Sequence, residues 1–136
     1  MNDDCEFCRI VAGDRSAPVV YEGERTVAFL DQQPAVAGHC LIVPRIHETG
    51  LLTADIETAT AIVRTVHTVS NALEDVLEPE GFSVFHTSGH LVGSVEHAHV
   101  HLVPRFADDD VALSLSRTGI DEELAADLTG RIRDAL

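Results

Sequence analysis

The chain has 136 residues, 45% of them apolar, and sets 9 basic side chains against 23 acidic ones for a net charge of −14 with histidines neutral. That length and apolar fraction describe one domain able to bury about two thirds of its unfolded surface without disulfides, and they exclude a disordered chain. The spread of negative charge argues against nucleic-acid and anionic-membrane partners. No apolar run approaches the roughly 18 residues of a membrane span, and Met1-Asn2-Asp3-Asp4 is acidic where a signal peptide is basic, so a cytoplasmic place is expected.

All nine basic residues are Arg. Depletion of Lys beside an excess of Asp and Glu is similar to the proteins of salt-accumulating halophiles, in which concentrated cation screens self-repulsion. The competing reading is an ordinary acidic protein whose genome prefers Arg.

The sequence opens on Cys5-x-x-Cys8, with a third cysteine, Cys40, further on. An odd count in a cytoplasmic chain points to metal or redox chemistry rather than a disulfide framework. Val19–Glu22 and Thr26–Leu30, joined through Glu22-Gly23-Glu24, predict a hairpin, and His39–Val43 predicts a third strand ended by Pro44. From Thr53 to about Leu77 the apolar residues Ile56, Ala59, Ile62, Val66, Val69, Leu73 and Leu77 recur at three- and four-residue steps, which predicts one long amphipathic helix. Thr53 is its expected N-cap, and Asp55 and Glu57 suit the positive end of its dipole. Phe82–Phe85 predicts a fourth strand and Val95–Val103 a fifth, stopped by Pro104. Asp108-Asp109-Asp110 is expected to be a solvated turn, and Ile120, Leu124, Leu128 and Ile132 mark a C-terminal helix.

Within the fifth strand stands His97-Ala98-His99-Val100-His101. Strand residues two apart share a face at intervals of about 6.6 Å, so three imidazoles should line one surface while Ala98, Val100 and Leu102 line the other. Three adjacent imidazoles are poor core filler, because each brings two ring nitrogens that need partners when buried. Metal ligation, nucleophilic catalysis, or both are the readings left. Cys5 and Cys8 have three readings of their own: buried thiols, a redox pair, or half of a tetrahedral metal site. A redox pair would sit in a thioredoxin-like unit, and none starts here.

His97-Ala98-His99-Val100-His101-Leu102-Val103 resembles the signature of the histidine triad (HIT) family. Cys5-Glu6-Phe7-Cys8-Arg9-Ile10, Ala28-Phe29-Leu30-Asp31 and Gly38-His39-Cys40-Leu41-Ile42-Val43-Pro44-Arg45-Ile46-His47 are similar to other family blocks and stand in the same order, to about Phe106. The resemblance implies an α+β fold: a five-stranded antiparallel sheet with one long helix and short terminal helices, commonly in a homodimer. One domain would fill residues 1–136, with its core at 5–106 and an acidic turn and helix at 107–136.

The resemblance further implies a hydrolase or transferase acting at the α-phosphorus of nucleoside phosphoramidates, dinucleoside polyphosphates or adenylylated adducts. It makes His99 the nucleophile of a nucleotidyl-histidine intermediate, His101 a phosphate contact and Ser94 a hydroxyl assisting the leaving group or orienting the phosphate. It gives Asp31 to the ribose, Phe7, Ile10 and Phe29 to the base, and His39 to the orientation of the triad; plain core or turn duty is the alternative for these. In relatives that keep the Cys-x-x-Cys, a structural zinc ion is held by the residues matching Cys5, Cys8, His47 and His97. Cys40 is left to packing.

The chain departs from the family in Thr87-Ser88-Gly89-His90-Leu91-Val92-Gly93-Ser94-Val95-Glu96. This loop reads as one residue short and without the usual glutamine, Thr87 or Ser88 stands in the region of a phosphate-holding asparagine, and Glu96 sets an acid beside the triad. A non-catalytic, zinc-containing nucleotide-binding module is therefore the second reading, and a histidine strand that binds its own metal is a third.

Overall fold

In the computed structural model, residues 4–89 and 95–136 are described. They form α1 (Glu6–Ala12), β1 (Val19–Glu22), β2 (Thr26–Leu30), β3 (Cys40–Pro44), α2 (Ile56–Leu77), β4 (Gly81–Phe85), β5 (Val100–Arg105) and α3 (Glu122–Ala135). The strands make one five-stranded sheet in the order β1-β2-β3-β5-β4, with every neighbouring pair antiparallel. No helix among the described residues is long and apolar enough to cross a membrane.

Strict alternation in the central strands builds two cores, one on each side of the sheet. Val27, Phe29, Leu41 and Val43 face the short helix α1 and meet its Phe7, Cys8 and Ile10. Ala28, Cys40, Ile42, Val100 and Leu102 face the long helix α2 and meet Ile62 and Val69. Because both faces are covered, β3 is buried along its whole length, and its sequence reads as a continuous apolar run rather than an alternating one. Gly38 lies at the start of this layer with φ +93°, a left-handed conformation that a side chain would strain, and a Cβ there would in addition displace the tip of Leu77, 2.5 Å away at Cδ1.

The structure moves several of the expected boundaries. The third strand runs to Pro44, which pairs with Thr26 and needs no N–H there. The long helix starts at Ile56 with Asp55, not Thr53, as its N-cap: the Asp55 carboxylate accepts the Thr58 N–H at 2.7 Å, whereas the Thr53 hydroxyl donates to the Gly50 carbonyl in the preceding turn. The fifth strand starts at Val100 rather than Val95, for a reason given below, and it is not stopped by Pro104 but runs through it to Arg105, with Pro104 paired to Phe82. Asp109 is not solvated either. Its carboxylate takes the Arg105 guanidinium at 2.6 Å and the backbone N–H groups of Phe106 and Val111, and these donors hold its pKa well below the usual carboxylate range. The C-terminal helix forms as the apolar spacing predicts, capped by Asp121, yet none of its residues is buried.

Candidate functional site

The chain after β3 runs back along the residues that precede β5 and takes over the bonds a neighbouring strand would make. Glu48 accepts the Ala98 N–H through its backbone carbonyl, and Pro44 offers its carbonyl to His97 Nε2 at 3.0 Å. The His97 carbonyl receives His99 Nδ1 at 2.8 Å, and the His99 carbonyl receives His86 Nδ1 at 3.0 Å. Residues 97–99 are thus satisfied by loop backbone and by imidazoles, so the ladder begins only at Val100. The alternation nonetheless holds, with Ala98, Val100 and Leu102 buried on the sheet side opposite the His101 ring.

Two groups of side chains result. In the first, Cys5 Sγ lies 3.3 Å from His97 Nδ1, and Cys8 Sγ lies 3.3 Å from His47 Nδ1 and 3.5 Å from His97 Nδ1. The two Nδ1 atoms are 3.2 Å apart, and all four donor atoms lie within 4.8 Å of one another. A carbonyl can only accept, so the Pro44 contact puts the His97 proton on Nε2 and leaves Nδ1 bare. Around a tetrahedral zinc, sulfur and nitrogen ligands stand about 3.3–3.8 Å apart, and a ligating histidine ordinarily donates its other N–H to a carbonyl or carboxylate. The Cys2His2 set fits such an ion on both counts. Burial pushes the Cys5 thiol up and the His97 imidazole down, so this pocket favours uncharged ligands until a cation enters.

The second group surrounds a cleft of about 580 Å³ on the α1 side of the sheet. Phe7, Ile10, Phe29 and Leu41 make its apolar wall, Asp31, Gln32, Gln33 and Arg15 line its polar part, and His99 and His101 open onto it. A larger hollow of about 630 Å³ lies on the outer face of α2 between Ile56, Val63 and His67, away from the triad. It lacks the convergent polar groups of the cleft, which is the better candidate site.

The ring protons in the cleft follow from their partners. His99 donates from Nδ1 to the His97 carbonyl, so Nε2 keeps its lone pair. His39 accepts the Ala35 N–H at Nδ1 (3.0 Å), which leaves Nε2–H to donate to His101 Nδ1 at 2.9 Å. His101 then carries its own proton on Nε2. Burial, with the charges of His99 and His39, pushes the His101 pKa down to about 4, and burial lowers that of His39 despite Asp31, whose Oδ2 is 3.5 Å from His39 Nε2. The Phe7 ring meets His99 edge-on at 5.1 Å, and Phe85 stacks on His101 at 4.5 Å.

The structure therefore brings together Cys5, Cys8, His47 and His97 in one group and Phe7, Ile10, Phe29, Asp31, His99 and His101 in the other. His39 is buried behind His101 rather than on the cleft wall. Thr87 and Ser88 are exposed, and Ser88 lies near the Gly50 turn. Ser94, with residues 90–93 of the loop read as one residue short, lies outside the described residues. Cys40 is buried in the α2-side core and donates to the Gly38 carbonyl, while burial raises its thiol pKa to about 11. Arg15, Gln32 and Gln33 carried no signal in the sequence, and His86 was one unremarkable histidine at the end of a strand.

Three histidines at alternate positions thus lead into β5 of a five-stranded antiparallel sheet and stand beside a cleft on one of its faces. The HIT domain model matches residues 12–108, and the chain belongs to the HIT family. Among curated relatives it is similar to Protein hit of Bacillus subtilis, 33% identical over 93% of this chain and 88% of that protein. It is 31% identical to the adenosine 5'-monophosphoramidase hnt1 of Schizosaccharomyces pombe over 74% of each chain. With the adenylylsulfatase HINT3 of Arabidopsis thaliana it shares 30% identity over 77% of this chain and 54% of that protein. The crystal structure of SMU.412c from Streptococcus mutans superposes with a TM-score of 0.93 at 32% identity, covering 99% of this chain and 87% of the other. A Zn-bound histidine triad family protein from Mycobacterium smegmatis does so with a TM-score of 0.74 at 30% identity, covering 97% of each chain.

Proposed function

We propose that the protein is a nucleotide hydrolase or transferase that works at the α-phosphorus through a nucleotidyl-His99 intermediate. The observation that carries this reading is the His99 Nδ1–His97 carbonyl bond, which leaves a bare Nε2 on a ring lining a cleft of nucleotide size. Two curated relatives named as an adenylylsulfatase and an adenosine 5'-monophosphoramidase support hydrolysis of small adenylyl compounds. In the proposed reaction the Nε2 lone pair forms a bond to phosphorus while the bond to the leaving group breaks; the leaving group takes a proton from solvent as it departs, and water then attacks the phosphorus, breaking the P–Nε2 bond, returning a proton to solvent and releasing the nucleoside monophosphate with His99 restored.

His101 offers its Nε2–H to a phosphate oxygen, and because the ring is uncharged it does so as a hydrogen-bond donor rather than a cation. His39 sets that tautomer. Asp31 receives the ribose hydroxyls, Phe7, Ile10 and Phe29 enclose the base, and Ser94, Thr87 and Ser88 belong to the leaving-group and phosphate side of the reading. Cys5, Cys8, His47 and His97 would hold zinc, which with four protein ligands would serve structure and supply no activated water. Incubation with an adenosine phosphoramidate should release AMP steadily from the native protein and at least about 1,000-fold more slowly from His99→Ala. Tight AMP binding without turnover would instead support the non-catalytic module, for which the departures of the loop before the triad speak.

The reading extends to a homodimer and to work in concentrated salt. The exposed apolar residues Ile56, Val63 and Val76 on α2, and Val84 on the edge strand β4, support a pairing face. The charge of −14 without a single Lys supports the salt requirement.

A further inference from the structure

His86 follows the last residue of β4 and ties the turn before α2 to the histidine segment. Its Nδ1 lies 3.0 Å from the His99 carbonyl oxygen, and its Nε2 accepts the Leu51 N–H at 3.2 Å. A carbonyl accepts and an N–H donates, so both contacts require one neutral tautomer with the proton on Nδ1, and one ring satisfies both. The preceding residue, Phe85, stacks on His101. Consecutive residues at the end of one strand thus hold two successive triad members, one by its ring and one by its backbone.

The His99 peptide needs such a partner because residues 97–99 have left the β3 ladder, whose pairs with β5 begin at Val100. The nucleophile's ring is itself tied to the His97 carbonyl two residues back, so its direction depends on the backbone conformation between His97 and His99. We propose that His86 is a positioning residue for the His99 nucleophile: by donating from Nδ1 to the His99 carbonyl it fixes that backbone, and with it the tautomer and direction of the ring. This rests on the nucleotidyl-transfer reading above. The bond to Leu51 is a separate contribution, securing the turn between β3 and α2.

The two nitrogens can be tested apart. His86→Asn keeps an N–H donor at the δ position and loses the acceptor for Leu51; His86→Gln places its amide one bond further out; His86→Ala loses both. Single-turnover adenylylation by an adenosine phosphoramidate should fall about 10–100-fold in His86→Ala with KM changed less than about threefold, as for other partners that orient a reacting side chain. His86→Asn should recover to within about threefold of the native rate although its melting temperature stays low, and His86→Gln should not recover. Rates that follow melting temperature across the three variants, a loss confined to KM, or a native rate in His86→Ala would each overturn the proposal. Imidazole 15N spectra of the nucleotide-free proteins read the same device without turnover. His99 should be a single Nδ1–H tautomer in the native protein and His86→Asn, and a mixture in His86→Ala. A single tautomer in all three overturns the clamp even if the native protein transfers no nucleotide, an outcome that would by itself sink only the nucleotidyl-transfer reading.

Discussion

At the scale of single residues, the ring protons in the cleft follow from their hydrogen-bond partners, the His97 carbonyl for His99 and the His39 ring for His101. The triad's candidates were legible because three histidines at alternate positions are chemically awkward anywhere but in a site. Their protonation was not, since His101 takes its tautomer from His39 and His99 has its carbonyl held by His86, and such partners meet only through the sheet. The lowered pKa of His101 makes a prediction with a definite sign. Its folded value, about 4, lies below the ordinary 6.5, so unfolding takes up a proton between those two values. The stabilisation from a neutral His101 is complete above about pH 6.5 and shrinks as pH falls toward 4, by no more than about 3 kcal/mol. Thermal melts of native protein and His101→Asn should therefore converge between pH 7 and 4.5. Parallel pH profiles would contradict the burial of an uncharged ring there.

At the scale of elements, the strands, the long helix and the C-terminal helix follow from period and punctuation, whereas the pairing of the strands into one sheet and the short helix α1 came only with the family resemblance, and the start of the fifth strand lies five residues beyond its expected place. Two of the displaced boundaries share one cause, a local competition that periodicity cannot see. Asp55 outcompetes Thr53 as a cap because Thr53 is already engaged with Gly50. The fifth strand begins late because the loop after β3 supplies its early partners. That loop also carries His47 into the Cys2His2 group, so a metal there would join α1, the loop and the start of the histidine segment. Cys5→Ser tests this while leaving an oxygen to accept the Cys8 N–H that now goes to Cys5 Sγ. The expected result is about one zinc per native chain, most of it lost in the variant, with melting lowered by about 10 °C or more. Full zinc occupancy in Cys5→Ser would remove Cys5 from the ligand set.

At the scale of the whole molecule, charge and uncovered apolar surface pull in opposite directions. A net charge of −14 repels a second copy, while the exposed apolar residues of α2, and the stripe of Leu124, Leu128 and Ile132 on α3, are surface that association would cover. Salt decides between them, because the screening length is about 10 Å at 0.1 M and about 3 Å at 1 M. Light scattering in molar KCl should give twice the 14.7 kDa chain mass, and melting should fall on dilution to about 0.1 M salt. A monomer at both strengths, or melting that ignores salt, would contradict the dimer and the salt requirement respectively. Neither property was legible beyond composition and family resemblance, because a single chain's pattern does not say what covers an apolar face.

The central claim is that His99 carries the nucleotide, and the most direct measurement is intact-protein mass spectrometry after rapid acid-free quenching of a reaction with an adenosine phosphoramidate in molar KCl. The account predicts a single adenylyl adduct on the native protein, mapped to His99 and absent from His99→Ala. Steady AMP release with no adduct, or an adduct that survives in His99→Ala, would contradict it.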